Sequence, residues 1–168
     1  MRNDPIWIEL RDELASIYGQ AVELVFPQSW TYDSSMWFKE IEKHSFRSEL
    51  QYRDEEIQER LRMEGLLLLF ISVQGRPEAL ILGYHLDESV IETFYLDTIA
   101  VRMRGKGVGP TLMRWLMKWA KKNGYERIAL DTELENESGL RLRDFYRKLG
   151  FIEGHIDENG NIPMSISL

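Results

Sequence analysis

The stretch "VRMRGKGVGPTLMRWLMKW", Val101 to Trp119, sets Gly105, Gly107 and Gly109 among cationic side chains and then turns amphipathic at helical spacing. Glycine gives up more backbone entropy on folding than other residues, so three within five positions need a compensating use. One chemistry supplies it. A tight turn can converge backbone N–H groups on a phosphate-like anion at the positive end of a helix. The N–H groups of Gly105, Lys106, Gly107, Val108 and Gly109 would form that seat. Gly107 and Gly109 would let the anion approach where a Cβ would intrude, and Arg104 and Lys106 would add positive charge.

Spacing removes two familiar versions of such a seat. There is no G-x-x-x-x-G-K-[ST], hence no lysine reaching a terminal phosphate in that manner. There is no G-x-G-x-x-G either, because Pro110 stands three residues after Gly107. The three histidines, His44, His85 and His155, show no metal-ligand spacing, and a structural or exposed role is expected for each. The chain has no cysteine. That rules out thiolate nucleophiles and fits a reducing cytoplasm, the expected location.

Charge is unevenly spread around the turn. The whole chain carries a formal −7, and Met1–Gly65 holds 14 acids against 8 Lys and Arg. Arg102–Arg127 holds 8 Lys and Arg against the single acid Glu126. A basic segment inside an acidic protein suits one compact polyanion rather than a nucleic acid, which favours a broadly positive face. Lys121 and Lys122 need no ligand, since cations favour a helix C-terminus. The apolar run "LLLLFISV" is too short to span a bilayer, and "MRNDPIWIELRDEL" lacks a signal-peptide core; neither membrane nor nucleic acid is expected as a partner.

These residues need elements to hold them. The chain length of 168 residues and a composition of 43% hydrophobic and 29% charged residues predict one globular domain. Pro5 with Ile6, Leu10, Leu14 and Ile17 predicts a first helix. Asp33-Ser34-Ser35 can cap a second, "MWFKEIEKHSF", and "SELQYRDEEIQERLRMEG" reads as a third. From Leu66 the period changes. Leu66–Val73 and Ala79–His85 read as a hairpin around "QGRP", and Ser89–Val101 as a longer strand. A helix over about Val108–Asn123 carries Leu112, Trp115, Leu116 and Trp119 on one stripe. After it come the strand "RIALDTEL", a helix with Leu142, Phe145, Tyr146 and Leu149 on one face, and a hairpin, "FIEGHI" and "IPMSISL", closed at Asn159-Gly160. The expected order is helices and then β-β-β-α-β-α-β-β, an α/β fold with a mixed sheet.

With these elements in place, "RGKGVG" resembles the [QR]-x-x-G-x-[GA] acyl-CoA motif of the GNAT acetyltransferase superfamily. "LDTIAV" is similar to its splayed fourth strand and "FYRKLGF" to its C-terminal motif, so the resemblance covers about residues 66–168. It implies a single GNAT-like domain with a mostly antiparallel sheet flanked by helices. Residues 1–65 would form a helical acceptor-side segment and 66–168 the acyl-CoA-binding core. It implies acetyl-CoA as acyl donor, no metal, and direct transfer to a primary amine on a small molecule or peptide. Ile99, Ala100 and Val101 would lie along the pantetheine arm, and Tyr146 would point its hydroxyl at the sulfur. Three features depart from the family pattern: the short Val101–Arg104 loop, the missing N–H of Pro110, and Asn136, a further cofactor contact, set farther than usual before Tyr146.

Acyl transfer to an amine also needs a group that takes the ammonium proton. Asp97 and Glu92 are candidates on the strand leading into the glycine turn. Alternation puts Asp97 on the side of Tyr95 and Ile99, with Glu92 opposite unless a bulge intervenes. Asp97 lies nearer the expected thioester and is preferred; orienting a loop or pairing with an arginine is its bland alternative. Trp30, Tyr32, Trp37 and Tyr52 are aromatics in the acidic N-terminal third, which suits a cationic acceptor. A GNAT-like sensor or scaffold that binds acyl-CoA without transfer is the alternative function, and a module for some other phosphorylated ligand is the third. The sequence leaves the acceptor's identity and the oligomeric state, a homodimer included, open.

Overall fold

A computed structural model describes residues 3–46, 50–87, 89–133 and 137–168, with the backbone alone for 137–140. The elements run α1 (Pro5–Tyr18), β1 (Val22–Val25), α2 (Tyr32–Ser45), α3 (Asp54–Arg60), β2 (Leu67–Val73), β3 (Arg76–His85), β4 (Thr93–Val101), α4 (Val108–Lys122), β5 (Arg127–Glu133), α5 (Glu137–Lys148), β6 (Ile152–Glu153) and β7 (Asn161–Ser167). The strands form one sheet in the order β1-β2-β3-β4-β5-β7-β6. All neighbours are antiparallel except β4 and β5. The expected mixed α/β architecture is what the chain adopts.

The apolar run at β2 is continuous because both faces of the strand are covered. Leu67, Leu69, Ile71 and Val73 pack into a core with Trp7, Leu10 and Leu14 of α1, Leu112, Leu116 and Trp119 of α4, and Tyr146 of α5. Leu68 and Phe70 pack the other way, with Phe38 and Ile41 of α2 and Ile57 of α3. The sheet therefore has a first face under α1, α4 and α5, and a second face under α2 and α3. The aliphatic and aromatic side chains on each face drop from water together, each contributing ~1.5–3 kcal/mol when fully buried.

Several boundaries differ from expectation, each for a local reason. β1 was not anticipated; it is a four-residue edge strand whose ladder comes wholly from β2. α2 starts at Tyr32 because Thr31, not Asp33-Ser34-Ser35, caps it, its hydroxyl accepting from Ser34 N. The third helix is only seven residues, since Tyr52 N is drawn instead to the Glu42 carboxylate at 2.9 Å. β3 starts at Arg76, because Gln74 and Gly75 both take positive φ in a two-residue turn. β4 starts at Thr93 rather than Ser89, and β6 is two residues long. The last turn spans Glu158–Gly160, where Asp157 Oδ1 accepts from both Asn159 N and Asn161 N.

The difference that matters for the site is a bulge. Leu82 of β3 pairs with Thr98 of β4, yet Gly83 pairs with Leu96, so Asp97 is an extra residue with no partner on β3. The expected alternation breaks there. Asp97 shares Tyr95's face, the second, whereas Ile99 packs into the first-face core. Gly83 makes the bulge feasible: a Cβ on it would lie 2.4 Å from the Phe94 ring and 2.6 Å from the Tyr95 carbonyl oxygen. A bulge bends its strand and increases its twist. β4 leaves β5 in this region. Their parallel pairing runs only from Thr93↔Arg127 to Tyr95↔Ala129, and beyond it the two strands diverge.

Candidate functional site

The glycine turn sits at the open end of the divergence. Gly105 and Gly107 adopt φ of 76° and 85°, a region that side chains with a Cβ rarely enter, and nothing lies within 4 Å of where either Cβ would be. Gly107 is the N-cap of α4 and has no side chain, so no capping hydrogen bond satisfies the N–H groups at the helix start. Pro110 falls inside the first helical turn, where its missing N–H costs nothing. Gly109 is different in kind: it is helical, and a Cβ there would touch the Phe145 ring at 3.6 Å.

A cleft of about 610 Å3 runs from this turn along β4. Ile99, Ala100 and Val101 form one wall, and Arg104, Gly105, Gly107, Val108 and Gly109 form its end. The opposite wall is α5, through Leu142, Phe145 and Tyr146. Ser45 and Phe46, at the end of α2, also reach it. Lys106 is exposed on the turn and does not line the cleft. The expected binding residues thus converge, with the exception of Lys106. Asn136 lies outside the described residues. Phe46 and Leu142 were not anticipated as lining residues; the apolar stripe of α5 was the one available signal for Leu142, which stays 40% exposed at the cleft.

Tyr146 is buried, with its ring 5.1 Å from Phe145 and 5.4 Å from Phe151. Burial pushes its phenol above the ordinary tyrosine range, so the hydroxyl keeps its proton. The core reading and the cleft-lining reading of this residue hold together.

The two carboxylate candidates are far apart. Glu92 precedes β4 at the end remote from the glycine turn, about 30 Å along the strand from Val101. Its side chain is exposed and lies 3.7 Å from His85 Nδ1. Asp97 is in the middle of the sheet, with its side chain only 4% exposed. Arg60 Nε donates to its Oδ2 at 2.8 Å, Tyr84 Oη donates to the same oxygen at 2.8 Å, and Tyr52 Oη donates to Oδ1. Burial first and the Asp97 charge second push the phenols of Tyr52 and Tyr84 up, so both remain donors. Asp97 therefore ties α3 to the bulge.

On the same second face, Tyr95 Oη donates to Asp131 Oδ2 of β5 at 2.7 Å. This pair was not anticipated; two residues 36 apart in sequence carry no motif. Of the N-terminal aromatics, Trp30 packs on Phe38 and also bonds the Asp54 carboxylate, Trp37 packs on Phe70, Tyr32 is exposed, and Tyr52 turns toward Asp97. Among the described residues, no group of three or more acidic or histidine side chains could hold a metal ion. Among the same residues, no helix is long and apolar enough to cross a membrane.

Residues 30–151 match the Acetyltransferase (GNAT) family. The chain belongs to the GNAT acetyltransferase family. A stretch of 53 residues is 43% identical to an uncharacterized N-acetyltransferase of Bacillus subtilis (strain 168), YobR. That stretch is 32% of this chain and 20% of the relative, so the chain matches only a fifth of that protein's length. Solved structures of this fold include Arabidopsis thaliana Naa50 in complex with the bisubstrate analogue CoA-Ac-MVNAL (TM-score 0.65, 20% identity, 88% of this chain and 99% of that one). An aminoglycoside 6'-N-acetyltransferase complexed with coenzyme A gives 0.67 at 16% identity, covering 86% and 96%. The PaiA N-acetyltransferase of Thermoplasma acidophilum, also in complex with coenzyme A, gives 0.63 at 16% identity, covering 89% and 100%. The divergence of β4 from β5 agrees with the splayed fourth strand that the resemblance implies.

Proposed function

We propose that this protein transfers an acetyl group from acetyl-CoA directly to a primary amine. The observation that carries the reading is the divergence of β4 from β5 beside a helix-opening glycine turn, with Tyr146 in the same cleft. The chemistry of that cleft suits coenzyme A. Uncapped N–H groups at the start of α4 match a pyrophosphate, and Arg104 and Lys106 supply countercharge at its rim. The edge of β4 released from β5 offers backbone groups to the amides of a pantetheine arm, since unpaired strand edges seek partners. Two neighbours of this fold are complexed with coenzyme A, and a third carries a CoA bisubstrate analogue, which supports the same donor here.

In this reading the acyl carbonyl lies near Ile99, where a backbone N–H stabilises the oxygen as it gains charge. Tyr146 hydrogen-bonds the departing sulfur. A tyrosine at ~10 is already a weaker acid than a thiol at ~8.5, and burial raises Tyr146 further, so the hydroxyl stabilises the thiolate without surrendering its proton. The anchored geometry of Asp97 supports a positioning role: it fixes the bulge from which β4 departs. The chain has no cysteine to form a thioester, which favours transfer in a ternary complex.

A thermal melt in acetyl-CoA, ATP or NAD tests the donor. Acetyl-CoA at about 100 times its Kd raises stability by ~2.7 kcal/mol, and the other two leave the melt unmoved. Thiol release in the presence of amines then tests transfer; stabilisation without release would make the protein an acyl-CoA sensor instead.

A further inference from the structure

The cleft at the glycine turn is not built from the C-terminal core alone. Ser45 and Phe46, at the end of α2, stand in its wall with Ile99, Ala100 and Val101 of β4. The chain leaves the helix there, since Phe46 is extended with φ -131° and ψ 148°. Both backbone groups of Phe46 are tied: its N–H donates to Glu42 O at 2.7 Å, and its carbonyl oxygen accepts from Gln51 Nε2 at 3.0 Å. Ser45 Oγ has no hydrogen-bond partner among the described residues, so bonding capacity is left over at this wall. We propose that α2 is a working part of the donor site: Phe46 covers the pantetheine arm, and Arg102 is the positioning residue that holds α2 and the glycine turn in register. The proposal rests on the acetyl-CoA reading above and moves part of donor binding into the segment expected to serve the acceptor.

The shortness of the loop after β4 gives Arg102 this role. Arg102 and Met103 alone separate Val101, the end of β4, from Arg104. Met103 packs into the first-face core and lines the cleft. Arg102 is not among the lining residues and binds elsewhere. Its Nη1 donates to Glu40 Oε1 of α2 at 3.1 Å and to Pro77 O of β3 at 3.2 Å, and its backbone N–H donates to Glu78 O at 2.8 Å. A strap this short passes the placement of Arg102 on to the glycines. Glu40 and Phe46 lie six positions apart on one helix, about 9 Å along its axis, so the ion pair and the cleft wall move as one piece. Ala100 of β4, buried with Phe38 and Ile41, seats that piece on the sheet.

The chemistry of the arm fits such a wall. Its amides can pair with the free edge of β4, but its methylene and gem-dimethyl groups need apolar cover. An aromatic ring laid over them removes both surfaces from water.

Calorimetric titration of the full chain with two probes tests this: acetyl-CoA, and adenosine 3',5'-bisphosphate, which lacks the arm. Phe46→Ala is expected to raise the Kd of acetyl-CoA about 10-fold and to leave that of the bisphosphate within about twofold. Phe46→Leu keeps apolar cover, recovers part of the affinity, and carries the comparison if the alanine variant does not fold. Arg102→Met raises both Kd values roughly 5- to 10-fold, and in turnover its loss falls on KM for acetyl-CoA more than on kcat. Arg102→Lys recovers part of this, and the losses of Arg102→Met and Glu40→Gln do not add in the double variant. The free Arg102→Met protein melts close to the parent, because a pair with Glu40 half-exposed contributes little to the fold. Acetyl-CoA binding by the Phe46 variants within about twofold of the parent, or equal weakening of both probes, overturns the proposal and leaves the acetyl-CoA reading standing. Parental affinities in an Arg102→Met protein that melts early would make Arg102 a residue of the fold alone and overturn its positioning role. A parent that binds neither probe defeats the donor reading itself.

Discussion

Arg60 Nε of α3 donates to Asp97 Oδ2 of β4 across 2.8 Å, and the residue so held is the one that β4 carries in excess over β3. The N-terminal helices are thereby fastened to the strand at the place where it turns away from β5. The guanidinium also lies 4.3 Å from the Tyr52 ring, so one side chain joins the charge and the aromatic that together close the bulge.

Arg60→Ala should therefore leave a buried carboxylate without its cation. A fully buried pair broken in this way costs about 3–5 kcal/mol; the guanidinium here keeps some contact with water, so roughly 2–4 kcal/mol is expected. Urea unfolding measures it. A midpoint equal to that of the parent would show that Asp97 is held by Tyr52 and Tyr84 alone.

Gly107→Trp separates binding from folding. The φ of 85° costs any side chain roughly 1–2 kcal/mol, but nothing lies within 4 Å of the Cβ position, so a side chain there starts into open space. In a domain of this size each kcal/mol moves Tm by roughly 2–4 °C, so the variant folds and melts a few degrees early. Its melt should no longer respond to acetyl-CoA, because the indole occupies the space before the helix N-terminus. A response equal to the parent's would remove the glycine turn from the donor site.

Much of this was legible because it is local. The glycines of the turn, the amphipathic stripes of α4 and α5, and the unbroken apolar run of β2 each follow from the periods and backbone preferences of short segments. The bulge at Asp97 was not, since it depends on Gly83 and Phe94 meeting across two strands. The same holds for Tyr95 and Asp131, which become neighbours only through the parallel register of β4 and β5. β1 was missed because four edge residues take their structure from β2. The N-terminal third was overread as helix where Glu42 diverts the backbone at Tyr52.

Glu42 gives the fold a pH dependence of definite sign. It is buried on α2, its Oε2 accepts from Tyr52 N, and its Oε1 has no partner among the described residues. Burial pushes its carboxyl up to about 7, against an ordinary value of 4.5. A carboxyl that binds its proton more tightly when folded stabilises the fold fully below about 4.5, and that contribution is lost as pH rises through about 7. Glu42→Gln removes the titration. It should melt within a degree or so of the parent at pH 5 and several degrees above it at pH 8, about 1–3 kcal/mol of added stability. A difference in Tm that stays constant between these pH values would place the titration elsewhere.

Tyr146→Phe isolates the hydroxyl from the ring. The ring supplies the packing against Phe145 and Phe151, so the variant should melt close to the parent and keep its full response to acetyl-CoA. Turnover should fall by roughly 10²-fold, the scale of losing one positioned proton-bearing group. Because burial raises the phenol above the ordinary tyrosine range, the parent's kcat should show no decline between pH 7 and pH 10 that the variant lacks. Equal turnover in the two proteins would leave Tyr146 as core alone, and the departing thiolate would then have to be stabilised by the backbone at the start of α4.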